Sequence, residues 1–166
     1  MADCSCPLPR SPSGMTDPTS DTKNVACQLT VAKCDKCTSG WAWYDGRCFL
    51  FKNVKMSWAA AEKHCLSLDG HLASIRSTNE YNFIRQLVLS SSKTNAHSWI
   101  GGHDSAEEGN WLWSDGSKFL FHLWGKGQPN NNKGNENCMD INLKEQDYVN
   151  DDVCSLKLPF ICAKQL

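Results

Sequence analysis

The chain has 166 residues, which is enough for one domain and an appendage. Its formal net charge of -1 argues against a nucleic-acid-binding protein, because such proteins usually present a basic face. No apolar run approaches the roughly 20 residues that a membrane-spanning helix needs, so we expect no membrane span.

Cysteine is unusually frequent, with ten cysteines in the chain beside seven tryptophans. An even and dense set of cysteines is typical of an extracellular protein stapled by disulfides. The first ten residues, MADCSCPLPR, contain no apolar segment of the kind found in signal peptides. We therefore expect a secreted protein whose signal has been removed, so that Met1 is not its natural start.

Residues 1–36 differ from the remainder in composition. They are rich in Pro, Ser, Thr and Asp, show no clear periodicity, and are interpreted as a flexible arm. The arm contains four cysteines, Cys4, Cys6, Cys27 and Cys34. Because an arm has little core to staple, we expect one or more of these to form disulfides between chains and so to link a homodimer.

Periodic patterns begin after the arm. The segment WAWYDGRCFLF (41–51) places aromatic residues around a Tyr-Asp-Gly turn and predicts a hairpin. The next segment, SWAAAEKHCLSL (57–68), predicts a helix, with Ser57 as N-cap and Gly70 beyond its end.

A second helix is predicted for STNEYNFIRQLVL, because Ser77 and Glu80 have the spacing of a capping box and an apolar stripe follows them. Short strands separated by loops are predicted after it: SWIGG (98–102), NWLWSDG (110–116), CMDI (138–141), YVNDDVC (148–154) and PFICAK (159–164). Two helices among short strands indicate an α+β domain. We expect its core to include five tryptophans: Trp41, Trp43, Trp99, Trp111 and Trp113.

The segment GQPNNNKGNENC (127–138) contains five asparagines and one glutamate. Long ordered loops in compact domains are usually functional. Calcium takes about six to eight oxygen ligands, including carboxylates and amide carbonyls. Five side chains in and near this loop supply such oxygens: Gln128, Asn130, Glu136, Asn150 and Asp151. The residues themselves therefore indicate a site for a hard cation.

Residues 37–162 resemble a C-type lectin-like domain along their whole length. The resemblance is carried by WIGG (99–102), WSDG (113–116), QPN (128–130), Glu136 before Cys138, the Asn150-Asp151 pair before Cys154, and the six cysteines of this region. It implies a carbohydrate-recognition domain over 37–166, with two helices, short antiparallel strands and a long structured loop region. It also implies three disulfides: Cys37–Cys48, Cys65–Cys162 and Cys138–Cys154.

The resemblance implies that the same five side chains hold one calcium ion, and that a sugar binds directly to this ion. Pro129 would then follow a cis peptide bond. Two neighbouring sugar hydroxyls can complete the calcium shell while they also donate to carboxylates and accept from amide N–H groups. The expected partners are glycans, for example on microbes, and the expected role is agglutination or recognition in innate immunity. No nucleophile and base arrangement is present, so we expect no enzyme activity.

One departure from the family pattern concerns the ligands. Relatives that bind mannose-type sugars usually read Glu-Pro-Asn at this loop, and those that bind galactose-type sugars usually read Gln-Pro-Asp. This chain reads Gln-Pro-Asn, which leaves two carboxylates, Glu136 and Asp151, among the five ligands. We therefore expect weak calcium binding. The sugar class and a calcium-independent mode of binding stay open.

Two other functions fit the same fold. The chain also resembles fish antifreeze proteins that share it, although an ice-binding face should be rich in Thr and Ala, and segment 127–138 contains neither. A lectin-like module that binds proteins would use large apolar loop residues, for which the segment Phe119 to Trp124 is the candidate.

Overall fold

The computed structural model describes residues 37–120 and 123–166. The arm of residues 1–36, with its four cysteines and its expected role in dimerisation, lies outside these described residues. The elements are β1 (Ala42–Tyr44), β2 (Arg47–Met56), α1 (Trp58–Leu66), β3 (His71–Leu72), α2 (Thr78–Ser92), β4 (Ser98–His103), β5 (Leu112–Trp113), β6 (Cys138–Ile141), β7 (Val149–Asp152) and β8 (Leu158–Gln165). The predicted α+β fold is confirmed.

Both helices begin at the predicted serines. The side chain of Ser57 accepts a hydrogen bond from the backbone N–H of Ala60, and that of Ser77 accepts one from Glu80 at 3.1 Å. The capping box differs in its second half, because the Glu80 carboxylate accepts from the backbone N–H of Arg76 at 2.7 Å. Gly70 is needed for a close approach, since a Cβ there would lie 2.7 Å from the carbonyl oxygen of Ala163 in β8.

The strands form one sheet in the order β1-β2-β8-β4-β6-β7, with β3 paired to β8 and β5 paired to β4. The last strand, β8, lies antiparallel to β2 and parallel to β4, so both ends of the domain meet at the centre of the sheet. Strands β6 and β7 form an antiparallel ribbon at the far edge. This ribbon carries the polar segments on which the candidate site depends.

Two groups of apolar side chains fill the interior. The larger contains Phe49, Ile84, Ile100 and Ile161, and the smaller surrounds Trp99. The three disulfides are Cys37–Cys48, Cys65–Cys162 and Cys138–Cys154, the pairings that the resemblance implies. Cys65–Cys162 ties α1 to β8 inside the smaller group, and Cys138–Cys154 closes the β6–β7 ribbon.

The prediction for the tryptophans is correct for three of them and wrong for Trp43. Trp99, Trp111 and Trp113 are buried, whereas Trp43 is 57% exposed and Trp41 is half-buried. Strand β1 is an edge strand whose alternate residues face opposite sides. Tyr44 faces inward and stacks on Phe83 at 4.7 Å between ring centroids, so Trp43 faces outward.

A buried ion pair joins the start of β2 to α2. Arg47 is 2% exposed, and its guanidinium donates to Glu80 Oε1 at 2.8 Å and to the backbone oxygen of Ser74 at 3.0 Å. A buried charge is tolerated when its partner is retained, but removing one partner leaves an uncompensated charge in the interior.

We predict that Glu80→Ala lowers the free energy of unfolding by about 3–5 kcal/mol, measured by denaturant titration with the disulfides intact. The matched control is Asp147→Ala. The Asp147 carboxylate is 59% exposed and lies 2.8 Å from the guanidinium of Arg85, so this change removes an exposed ion pair. That change should cost less than about 1 kcal/mol. Equal small losses in both variants would contradict a structural role for the buried pair.

Candidate functional site

The long loop between β5 and β6 is fastened to β7 before it reaches the asparagine-rich segment. The backbone N–H of Gly125 donates to the oxygen of Val149 at 2.9 Å, and that of Gln128 donates to Gly125 at 2.9 Å. A Cβ at Gly125 would lie 2.5 Å from the ring of Tyr148, so this close contact requires glycine. The chain then reverses at a cis peptide bond between Gln128 and Pro129.

Asp151 links β7 to the loop. Its side chain is 1% exposed, and its two carboxylate oxygens accept from the backbone N–H groups of Asn130 at 3.0 Å and Asn131 at 2.7 Å. Hydrogen bonds to an ionised acceptor are about twice as strong as those between neutral groups. One carboxylate on a strand therefore fixes two consecutive residues of the loop.

Glu136 and Asn131 close the loop on itself. The Glu136 carboxylate accepts from the backbone N–H of Asn132 at 2.7 Å, and the backbone N–H of Glu136 donates to Asn131 Oδ1 at 3.1 Å. Asn131 has a φ of 41°, in the left-handed region that asparagine tolerates better than most residues. At least one asparagine of this segment thus shapes the loop.

Asn150 is held from behind by a residue that sequence reasoning missed. Asp140 lies directly opposite it in the β6–β7 register and accepts from Asn150 Nδ2 at 3.0 Å. The same Nδ2 donates to the backbone oxygen of Asp151 at 2.7 Å. Both amide hydrogens are then used within the protein, so Oδ1 is the atom of Asn150 left for a ligand. The opposed positions on a predicted hairpin were the available signal.

The charges around the site favour a cation. Burial raises the pKa of Glu136, and the negative charges of Asp151, Asp152 and Asp140 raise it further, against the hydrogen bond from Asn132 that lowers it. Gln128 Oε1 is buried and has no hydrogen-bond partner. Neighbouring carboxylates and a buried oxygen without a donor are what a hard cation would satisfy.

The residues present therefore fit a calcium ion. The structure brings Asn130, Asp151 and Asn150 together and places Glu136 in the same folded loop. Gln128 lies one residue before the fixed segment, with its side-chain oxygen unpaired. Tyr148 packs against Gly125 and lines a cavity of about 430 Å³ with Trp124 and Tyr81.

Comparison with known proteins matches residues 54–164 to the Lectin C-type domain. The chain belongs to the C-type lectin family. It is 41% identical to the galactose-specific lectin nattectin of Thalassophryne nattereri, over 86% of this chain and 89% of that protein. It is also 41% identical to ladderlectin of Oncorhynchus mykiss, over 75% of this chain and 66% of that protein.

Among solved structures, the herring type II antifreeze protein is similar, with a TM-score of 0.73 and 33% identity over 78% of this chain and 99% of that one. The C-type lectin family binds carbohydrate and is not an enzyme family, so the absence of enzyme activity expected from the sequence is confirmed. Within residues 37–120 and 123–166, no helix is long and apolar enough to cross a bilayer.

We predict that Asp151→Asn loosens the loop without unfolding the domain. An asparagine side chain has one acceptor oxygen and no charge, so it cannot replace both hydrogen bonds. Hydrogen exchange at the backbone amides of Asn130 and Asn131 should accelerate about tenfold or more, because a hydrogen bond to a charged group contributes about 1.5–3 kcal/mol.

The control for this experiment is Asp152→Asn. Asp152 accepts from the backbone N–H of Val153 at 2.7 Å and has no hydrogen bond to the loop amides among the described contacts. Its substitution should leave exchange at residues 130 and 131 unchanged. Equal protection in wild type and Asp151→Asn would show that the carboxylate does not hold the loop.

Proposed function

We propose that this protein is a secreted lectin that binds a glycan at a calcium ion held by Gln128, Asn130, Glu136, Asn150 and Asp151. The observation that carries the proposal is the loop fixed by Asp151, which also carries the Glu136 carboxylate and a buried Gln128 oxygen that has no donor. Such a site is shaped before any ligand arrives, which reduces the entropy lost on binding.

The protein side chains divide the work of sugar recognition between acceptors and donors. Glu136 accepts one backbone N–H, so its carboxylate retains lone pairs for a sugar hydroxyl. The amide groups of Gln128 and Asn130 can donate N–H to the oxygen of a hydroxyl. When bound, the calcium ion would coordinate two neighbouring sugar hydroxyls. Asn150 contributes its oxygen, because its N–H groups are engaged with Asp140 and Asp151.

A galactose-type sugar is the first candidate. Nattectin is named as a galactose-specific lectin, and Gln128 agrees with the Gln-Pro-Asp pattern of galactose-type relatives. Asn130 agrees instead with the mannose-type pattern. The protein should therefore be tested with lactose and with mannose as competing sugars.

We predict that hemagglutination or glycan-array binding requires calcium, is inhibited by lactose more than by mannose, and is lost in EDTA. Glu136→Ala should abolish the binding, because it removes one of the two carboxylates of the site. The matched control is Glu107→Ala, at an exposed glutamate in the loop between β4 and β5, which should bind as wild type.

Other outcomes of this assay separate the alternatives. Binding that survives EDTA and Glu136→Ala would place recognition elsewhere on the domain. Binding that survives EDTA but is lost in Glu136→Ala would keep the site and remove the ion from it. An absence of binding in both buffers would contradict the proposal that the protein is a lectin.

The five proposed ligands include two carboxylates, and a third can be restored at either end of the Gln-Pro-Asn sequence. Gln128→Glu creates Glu-Pro-Asn, and Asn130→Asp creates Gln-Pro-Asp. Both changes raise the number of carboxylates among the five ligands from two to three, so both should tighten calcium binding about tenfold or more by calorimetry. The first should shift inhibition toward mannose and the second toward lactose. Calcium affinity that is unchanged in both variants would contradict the ligand set.

We also propose that the arm links two chains through Cys4, Cys6, Cys27 or Cys34. All six cysteines between residues 37 and 166 are bonded to each other in pairs, so an interchain bond would use the arm. Two linked sites would gain avidity on a cell surface, which suits agglutination and microbial recognition. We predict a dimer on a non-reducing gel that becomes a monomer on reduction, and a monomer in both lanes when the four arm cysteines are changed to serine.

Ice binding is the second candidate function, and the structural similarity to the herring type II antifreeze protein favours it. Thermal hysteresis in the absence of sugar-inhibitable binding would select it. Protein binding through Phe119 to Trp124 is less well supported, because Phe119 contacts Trp113 at 4.9 Å and Trp124 contacts Trp111 at 4.7 Å between ring centroids. Among the described residues of that segment, Leu120 is the most exposed, at 79%.

A further inference from the structure

Beside the proposed calcium site, here called the calcium-type site, lies a second group of side chains that could bind a metal: His97, Asp140 and Asp152. His97 immediately precedes β4, Asp140 is in β6, and Asp152 ends β7. One ligand atom from each lies within 4.8 Å of the others. Trp99 pairs with Asp140, and Asp140 pairs with Asn150, so the three segments that carry the group are neighbours. Residues two apart on a strand share a face, and Asn150 lies opposite Asp140, so Asp140 and Asp152 share one face of the sheet.

The contact between His97 and Asp140 is not an ordinary hydrogen bond. Nε2 of His97 lies 2.9 Å from Oδ1 of Asp140 and 4.0 Å from Oδ2 of Asp152. Nε2 and Oδ1 are both buried, and neither atom makes a hydrogen bond of regular geometry. The two side chains are therefore close in space without a well-aligned hydrogen bond between them.

Two atoms that bind the same metal ion also lie close together without a hydrogen bond between them. At metal–ligand distances of about 2.0–2.1 Å, neighbouring ligand atoms of a tetrahedral site lie about 3.3 Å apart, and their lone pairs point at the ion between them. Asp140 is fully buried, and its Oδ1 makes no hydrogen bond although His97 Nε2 lies 2.9 Å away. Such an atom costs free energy unless a ligand satisfies it.

Neighbouring protein groups hold the two carboxylates of this group in fixed orientations. The other oxygen of Asp140 accepts from Asn150 at 3.0 Å, and the other oxygen of Asp152 accepts from Val153 at 2.7 Å. Each carboxylate is thus oriented by a protein donor while one oxygen faces the group, as is usual for metal-binding carboxylates. The side chains of His97 and Asp152 are 21% and 18% exposed, which leaves a path from solvent.

We propose that His97 Nε2, Asp140 Oδ1 and Asp152 Oδ2 form a site for a first-row transition-metal dication such as Zn²⁺, with a fourth position open to water. Imidazole together with carboxylate suits Zn²⁺, whereas calcium prefers a shell of oxygens. The site is therefore chemically distinct from the calcium-type loop. It is linked to that loop through the support that Asp140 gives to Asn150 and through the charges of Asp140 and Asp152, and it does not rest on the sugar-binding proposal.

The test is calorimetric titration of the full oxidised chain with Zn²⁺, in buffer that contains calcium and after any free thiols have been alkylated. We expect a saturable site of one Zn²⁺ per chain that calcium does not displace. His97→Gln should weaken zinc binding about tenfold or more. The matched control is His103→Gln, at the other end of β4, which should bind zinc as wild type.

Two further measurements keep the result decisive. Asp152→Asn, on the exposed side of the group, should also weaken zinc binding, and unchanged melting curves would show that both variants are folded. Glu136→Gln should retain zinc even if it loses the sugar, which separates this site from the loop. If the wild type binds no zinc, or if His97→Gln and Asp152→Asn bind it as the wild type does, the group is only an ion pair and the proposal is wrong.

Discussion

The conformation of the candidate binding loop depends on the carboxylate of Asp151. This one group accepts the backbone N–H groups of Asn130 and Asn131 from the end of a regular strand. The strand itself is positioned by its register with β6, where Met139 lies opposite Asp151. The Cys138–Cys154 bond closes the same ribbon. The short β6–β7 ribbon therefore determines the conformation of the long polar loop.

The proposed site gives Asp151 a structural and a binding role that cannot be separated. Because the same carboxylate fixes the loop and would contribute an oxygen to the cation, a change to it would alter both. Glu136 is a better functional probe, because its hydrogen bonds stay within the turn around Asn131 and Asn132 and do not reach the strand. The loss of sugar binding on changing Glu136 can then be attributed to the site more directly than the same loss on changing Asp151.

Local sequence signals predicted the elements of the fold, and the resemblance to a family predicted their connections. Ser57 and Ser77 begin the helices because a cap is decided by a few neighbouring residues. The exposure of Trp43 could not be foreseen in this way, because it depends on β1 being an edge strand in the assembled sheet. The disulfide pairing likewise came from the family pattern, since spacing alone leaves many pairings open.

Contacts across the sheet escaped sequence reasoning at the site as well. The five ligand positions follow from the family pattern, but Asp140 became visible as the partner of Asn150 only once the β6–β7 register was known. His97 lies in a different segment from Asp140 and Asp152, and histidine spacing along the chain gave no sign that the three side chains meet. Side chains from separate strands converge through register, which is set by the whole fold.

The negative charge of the site is larger than its ligand count suggests. Two of the five expected ligands are carboxylates, but Asp140 and Asp152 also act on Glu136 and help to raise its pKa. Their field favours a cation at the loop, although neither belongs to the family's ligand set, and it partly offsets the lost third carboxylate. The same field repels an added carboxylate at residue 128 or 130 when no cation is bound. A third carboxylate would therefore increase calcium affinity at the proposed site and at the same time destabilise the calcium-free loop, so the Gln-Pro-Asn sequence favours a loop that stays folded without calcium.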